Sequence, residues 1–190
     1  MSEPHILVAG IGNIFLGDDA FGVEVARCLQ QRRLPSHVQV VDFGIRSYDL
    51  AFALLKHPAA TILVDAARLG EEPLGPPGSL HLIELSMDDV PARPPPAGAG
   101  NGAPALPATV DAHSMNPVAA LQLVKQYGGN PQRLYLIGCE PQTLVSERGH
   151  FGLSKALQHA VPAAIEMIEE LLDELLAELK KSDFSEKSDF

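Results

Sequence analysis

Basic charge is scarce in this sequence: 14 Lys and Arg stand against 24 Asp and Glu, for a formal net charge of −10. Nucleic-acid binding needs clustered Lys and Arg to neutralise phosphate, so this balance argues against that class of partner. Arg27, Arg32 and Arg33 form the one basic concentration before the C-terminal tail and read as a solvated helix end. Cysteine is scarce as well. Cys28 and Cys139 lie far apart with no CxxC, which excludes a disulfide framework and a structural zinc site. Cys28 fits the apolar face of a helix and is expected to be a buried, inert thiol. No run approaches the roughly 18 apolar residues of a membrane-spanning helix. Met1 to Pro4 has no basic stretch leading into an apolar one, and Ile6 to Ile11 is too short for a signal segment. A soluble, cytoplasmic monomer is the expectation. HExxH and Gly-x-Ser-x-Gly are both missing, which removes the zincin mechanism and the serine nucleophile elbow.

What is present is enough for a core. The chain has 190 residues, of which 46% are hydrophobic and 20% charged, a composition that excludes wholesale disorder. One domain over residues 1–181 is expected, with a flexible tail at 182–190. Short apolar runs alternate with helical spacing. Ile6 to Ala9, Val38 to Val41, Thr61 to Val64, Leu80 to Leu85 and Leu134 to Ile137 read as strands. Ala20 to Arg33, Tyr48 to Lys56, Pro117 to Tyr127 and Leu153 to Lys181 read as helices. Asn116 is a suitable N-cap, Pro117 suits a first helical position, and Pro162 is a place for a kink. Residues 86–112 break the rhythm with six prolines and three glycines, so they are an insert, expected to be mobile over 91–110.

Alternating strands and helices imply an α/β three-layer sandwich: a mostly parallel five-stranded sheet with helices on both faces. Between the third and fourth strands lie three prolines and three glycines and no room for a crossover helix. The fourth strand is therefore expected to run antiparallel, at a sheet edge.

Ligands of such sheets bind beyond the carboxyl ends of the strands. After the first strand comes Gly10-Ile11-Gly12-Asn13-Ile14-Phe15-Leu16-Gly17-Asp18-Asp19. It starts like a dinucleotide fingerprint, then places Phe15 at the third glycine position and two carboxylates where a pyrophosphate would sit. Asp18 or Asp19 is enough to cap the following helix, leaving the other to face the cleft. Asp65 closes the third strand, mid-crevice if that strand is central. Asp42 closes the second and reads as a turn residue. His113 stands where the insert meets a helix, unlike the surface or strand histidines at 5, 37, 57, 81, 150 and 159. Two carboxylates and an imidazole make a mixed oxygen and nitrogen site with open positions. That set suits a divalent metal such as nickel or zinc, or general acid–base catalysis, and spacing does not choose between them.

The run from Gly10 to Gly22 resembles the opening motif of the NiFe-hydrogenase maturation endopeptidases. Leu63-Val64-Asp65-Ala66, His113 followed by Pro117 and Leu121, and Ile137-Gly138-Cys139-Glu140-Pro141 agree in order and spacing. The resemblance covers roughly residues 5 to 172. It implies an enzyme that removes a C-terminal extension from the hydrogenase large-subunit precursor once the metal centre is assembled. Matched by motif, Asp19, Asp65 and His113 then hold the positions that contact nickel. The nickel is carried by the substrate, with another divalent metal as a stand-in in vitro. Two departures stand out. Phe43-Gly44-Ile45-Arg46-Ser47 replaces a Gly-Gly-Thr turn of some relatives, and the insert is long. Both bear on which large subunit is accepted. A nickel metallochaperone using the same three residues is the rival from another class, and a nucleotide-binding module is a second.

Overall fold

The computed structural model describes residues 5–68, 72–91, 117–142 and 151–186, with side chains to 181. Five strands form one sheet: β1 (Ile6–Ile11), β2 (Val38–Gly44), β3 (Ala60–Ala66), β4 (Leu80–Leu85) and β5 (Leu134–Cys139). The helices are α1 (Phe21–Gln30), α2 (Ser47–Leu54), α3 (Pro117–Gln126) and α4 (Lys155–Glu186), and a short 3-10 turn at Gly17–Ala20 precedes α1. Strand order is β2-β1-β3-β5-β4. Neighbouring pairs run parallel except β4 with β5, which is antiparallel, so the fourth strand is the reversed edge expected from its short connection.

Both faces of the sheet are covered, and the strand sequences show why. Ile6 and Val8 of β1, with Ile62 and Val64 of β3, pack against Phe21, Val25 and Leu29 of α1 and Leu157, Ile165 and Ile168 of α4. Leu7, Ala9 and Leu63 point the other way, against Leu50 and Leu54 of α2 and Leu121 and Val124 of α3. A strand buried on both sides needs a run of apolar residues, as residues 6–9 of β1 and 62–64 of β3 supply. Each fully buried Leu, Ile or Val contributes on the order of 1.5–3 kcal/mol.

Several boundaries differ from expectation. β2 runs on to Gly44 and β5 to Cys139, because ladder partners on neighbouring strands continue past the apolar runs. The long helix passes through Pro162 and beyond Lys181 to Glu186, so the first part of the anticipated tail is helical. The start of the insert is packed: Met87 and Val90 are buried against the α2–α3 side, and the Lys125 ammonium donates to the carbonyls of Met87 and Val90 at 3.0 and 2.8 Å. Asn116 and residues 92–110 lie outside the described residues. Cys28 is half-buried against the core and not fully enclosed. Among the described residues no helix is long and apolar enough to cross a membrane.

The chain leaves β1 for β2 by way of α1 on one face, then returns across β1 to β3 by way of α2 on the other. The crevice between the carboxyl ends of β1 and β3 is therefore the topological switch point. Glycines draw α1 into it. A Cβ on Gly22 would overlap the carbonyl oxygens of Val64 and Ile11, and a Cβ on Gly10 would overlap the carbonyl of Gly22. Gly22→Ala is expected to destabilise the fold by about 3 kcal/mol or more, since backbone and not a mobile side chain fills the space. Urea unfolding would measure this; a loss below about 1 kcal/mol would show that α1 can move off the sheet freely.

Candidate active site

Three segments meet at the switch point: the β1–α1 connection, the end of β3 and the exit of β5. The first is a shaped turn. Gly12 sits at φ +134, and a Cβ there would collide with the Asp19 carbonyl, so only glycine fits. The Asn13 side-chain oxygen accepts the Phe15 N–H at 3.0 Å, a local Asx-type turn. The Asn13 N–H then points back into the turn and donates to Asp19 Oδ2 at 2.7 Å. The half-buried Asp19 carboxyl is pushed up by desolvation, opposed by this bond from Asn13.

Asp65 is the next-to-last residue of β3, the central strand, and is 6% exposed. Its carboxyl is raised well above the ordinary value, first by burial and then by the charge of Asp19, while the Ala66 N–H pulls the other way. The two acids are thus electrostatic neighbours at the carboxyl ends of the adjacent strands β1 and β3. A buried carboxyl beside a second one holds its proton where an isolated aspartate would release it. Such a pair can act as acid and base, or can take up a cation that relieves both desolvation and repulsion.

His113 lies outside the described residues, so the structure brings together Asp19 and Asp65 of the three expected site residues. Among the described residues no group of three His, Cys, Asp or Glu is placed to hold a metal ion. Asp18 departs from its expected role. Neither the 3-10 turn nor α1 has a side-chain cap bond. The Asp18 carboxylate faces away from its own helix and accepts the backbone N–H groups of Gln142 and Ser154. Asp42 is a strand residue, with the Arg27 guanidinium at 3.5 Å from its carboxylate, and takes no part in the site. Cys139, at the end of β5, is fully buried. Burial and the charges of Asp18 and Glu140 push its thiol up to about 12, which removes it as a thiolate nucleophile. The contribution of Asn13 escaped the sequence reading, although Gly-Asn after a strand is a turn signal that pointed to it.

The family model described as hydrogenase maturation protease matches residues 100–171. The hydrogenase expression/formation protein HupD of Rhizobium leguminosarum bv. viciae is 31% identical over 164 residues, covering 86% of this chain and 71% of that protein. This chain belongs to the hydrogenase maturation protease family. The hydrogenase 2 maturation protease of Escherichia coli is 29% identical over 165 residues, covering 86% of this chain and 88% of its own length. The solved hydrogenase maturating endopeptidase HybD from E. coli superposes with a TM-score of 0.66 at 25% identity, over 90% of this chain and 93% of that one. Family membership makes the chain a protease, and its fold is the one those proteases share.

The raised carboxyls give this member a pH signature. Between the ordinary aspartate range, about 4, and the raised folded values, the folded protein holds more protons than the unfolded chain. The stability cost of these two groups is therefore absent below that window and grows as pH rises through it. Asp65→Asn keeps the volume and removes the charge, so it is expected to raise Tm at pH 7 and to flatten the Tm–pH curve. Thermal melts of both proteins from pH 4 to 8 test this, and parallel curves would contradict it.

Proposed function

We propose that this protease removes the C-terminal extension of a NiFe-hydrogenase large-subunit precursor after nickel insertion, and that Asp19, Asp65 and His113 face the nickel-bearing end of that substrate. The observation that carries the reading is the pair of half-buried Asp19 and buried Asp65 at the switch point of the sheet, with the charge of Asp19 raising the Asp65 carboxyl. Supporting it is the family to which the chain belongs, together with the resemblance in sequence of the segments bearing Asp19, Asp65 and His113 to that family's motifs.

The donor set suits a divalent cation brought by the substrate. Two carboxylate oxygens and an imidazole nitrogen are the ligand types that nickel and zinc accept. In the free protein Asp65 tends to keep its proton, because burial and Asp19 both disfavour its charge. A cation at the mouth of the crevice reverses both penalties, so its arrival is coupled to proton release from the pair. A precursor without nickel brings no such compensation. Discrimination between loaded and empty precursors then follows from electrostatics, with no separate sensor. Peptide hydrolysis needs a polarised carbonyl and an activated water. Ionised Asp65 supplies a base, and Asp19, held by the Asn13 N–H, fixes the second oxygen donor.

Incubation with nickel-loaded and nickel-free precursors, followed by mass measurement of the large subunit, tests the reading. Shortening of the loaded form alone is expected. Asp65→Asn and His113→Ala should each lower the processing rate by at least about 100-fold while the fold persists. Tight nickel binding with no shortening of any precursor would favour a metallochaperone instead.

A further inference from the structure

We propose that Asp18 is a positioning residue for the processing reaction, a clamp that holds the turn bearing Asp19 in place beside Asp65. The inference rests on the reading above, in which Asp19 and Asp65 are the reactive pair.

Asp18 is 3% exposed. A carboxylate so deeply buried is costly unless it is hydrogen-bonded to donors that stay in place. Asp18 Oδ1 accepts the Ser154 N–H at 2.7 Å, and Oδ2 accepts the Gln142 N–H at 2.9 Å. Gln142 follows shortly after the end of β5, and Ser154 precedes the first residue of α4. The Ser154 hydroxyl oxygen lies 3.4 Å from the Leu157 N–H, the relation of an N-cap to the third helical residue. One carboxylate therefore fastens three pieces: the 3-10 turn that carries Asp19, the exit of β5 and the entry of α4.

Those attachments concern the reactive pair directly. β5 lies next to β3, and Gly138 of β5 is the ladder partner of Asp65. The bond from Asn13 to Asp19 is internal to the β1–α1 connection, and so fixes Asp19 only with respect to its own turn. The close approach of Gly22 to Val64 ties the start of α1 to β3. Asp18 adds the tie from the turn to β5 and α4. An aspartate suits the position because both oxygens accept. Asparagine would keep one acceptor and turn its NH2 toward the second N–H.

The test compares the wild type with Asp18→Asn, Asp18→Ala and Ser154→Ala, each studied well below its own Tm. Ser154→Ala removes the oxygen that caps α4 and keeps the backbone N–H that Asp18 accepts, so it weakens the fold with the clamp intact. Two readouts are taken: kcat and KM on the nickel-loaded precursor, and hydrogen exchange of the Asn13 amide, which reports how Asp19 is held. Asp18→Ala is expected to lose about tenfold or more in kcat with KM near the wild-type value, as misplacement of a reacting group does. Asp18→Asn should fall between, and Ser154→Ala should keep the wild-type kcat. Asn13 protection should drop in the same order. Wild-type kcat and wild-type Asn13 protection in Asp18→Ala would overturn the proposal. If Asp18→Ala does not fold, Asp18→Asn decides by the same two readouts. A wild-type protein that processes no loaded precursor would sink the functional reading, while Asn13 exchange would still decide whether Asp18 acts as a clamp.

Discussion

The approach of α1 to the sheet is the contact on which the rest of the site depends. Backbone touches backbone where Gly22 meets the carbonyls of Ile11 and Val64, and where Gly10 meets Gly22. No side chain intervenes, so the N-terminal end of α1 is drawn down between β1 and β3. That position brings the 3-10 turn, and with it Asp19, to the end of β3. Any larger residue would lift the helix and with it the acid. The Gly-x-Gly sequence that elsewhere makes room for a pyrophosphate here makes room for a helix, and the space a phosphate would need is taken by carboxylates.

Carboxylates in that space are held against their preference. Burial favours the protonated forms of both Asp19 and Asp65, the charge of Asp19 adds to this at Asp65, and single backbone N–H bonds from Asn13 and Ala66 oppose it only in part. Asp18, one residue away, is buried more deeply yet accepts two backbone N–H groups. Adjacent residues of one type thus differ in what satisfies them. One has its donors built in and belongs to the fold. The other is left short of compensation at the switch point, and uncompensated charge is characteristic of a functional group.

Much of this was legible in the sequence. The alternation of short apolar runs with helical spacing identified a mostly parallel sheet covered on both faces. Thirteen residues between β3 and β4 (67–79), rich in proline and glycine, identified the reversed edge strand. Asp65 could be assigned to the end of an apolar strand, and the strand order then puts that strand at the centre of the sheet. The role of Asp18 was not legible, because its partners lie 124 and 136 residues away and donate through their backbones, which no residue type reveals. Met87 and Val90 were hidden for a related reason. Two isolated apolar residues in a proline-rich stretch show no period, and only the packed α2–α3 face gives them a place. The helix past Lys181 continues through polar residues whose local pattern resembles a tail.

The division of labour between Asp18 and Asp19 bears on how a protease could refuse an immature substrate. Under the proposed reading, selectivity needs the reactive acids to stay under-compensated until a cation arrives. A turn carrying such acids has a reason to open, because exposure to water relieves the burial cost of both. Glycine packing against β3 resists that from one side. The two N–H bonds to Asp18 resist it from the other, and they are made to elements with cores of their own: β5 in the sheet and α4 in the outer layer. The burial cost of the pair is therefore opposed by contacts across the α1–α4 face and not by the turn alone. A site built this way can hold two desolvated carboxyls together and ready, which an isolated loop of the same sequence could not do.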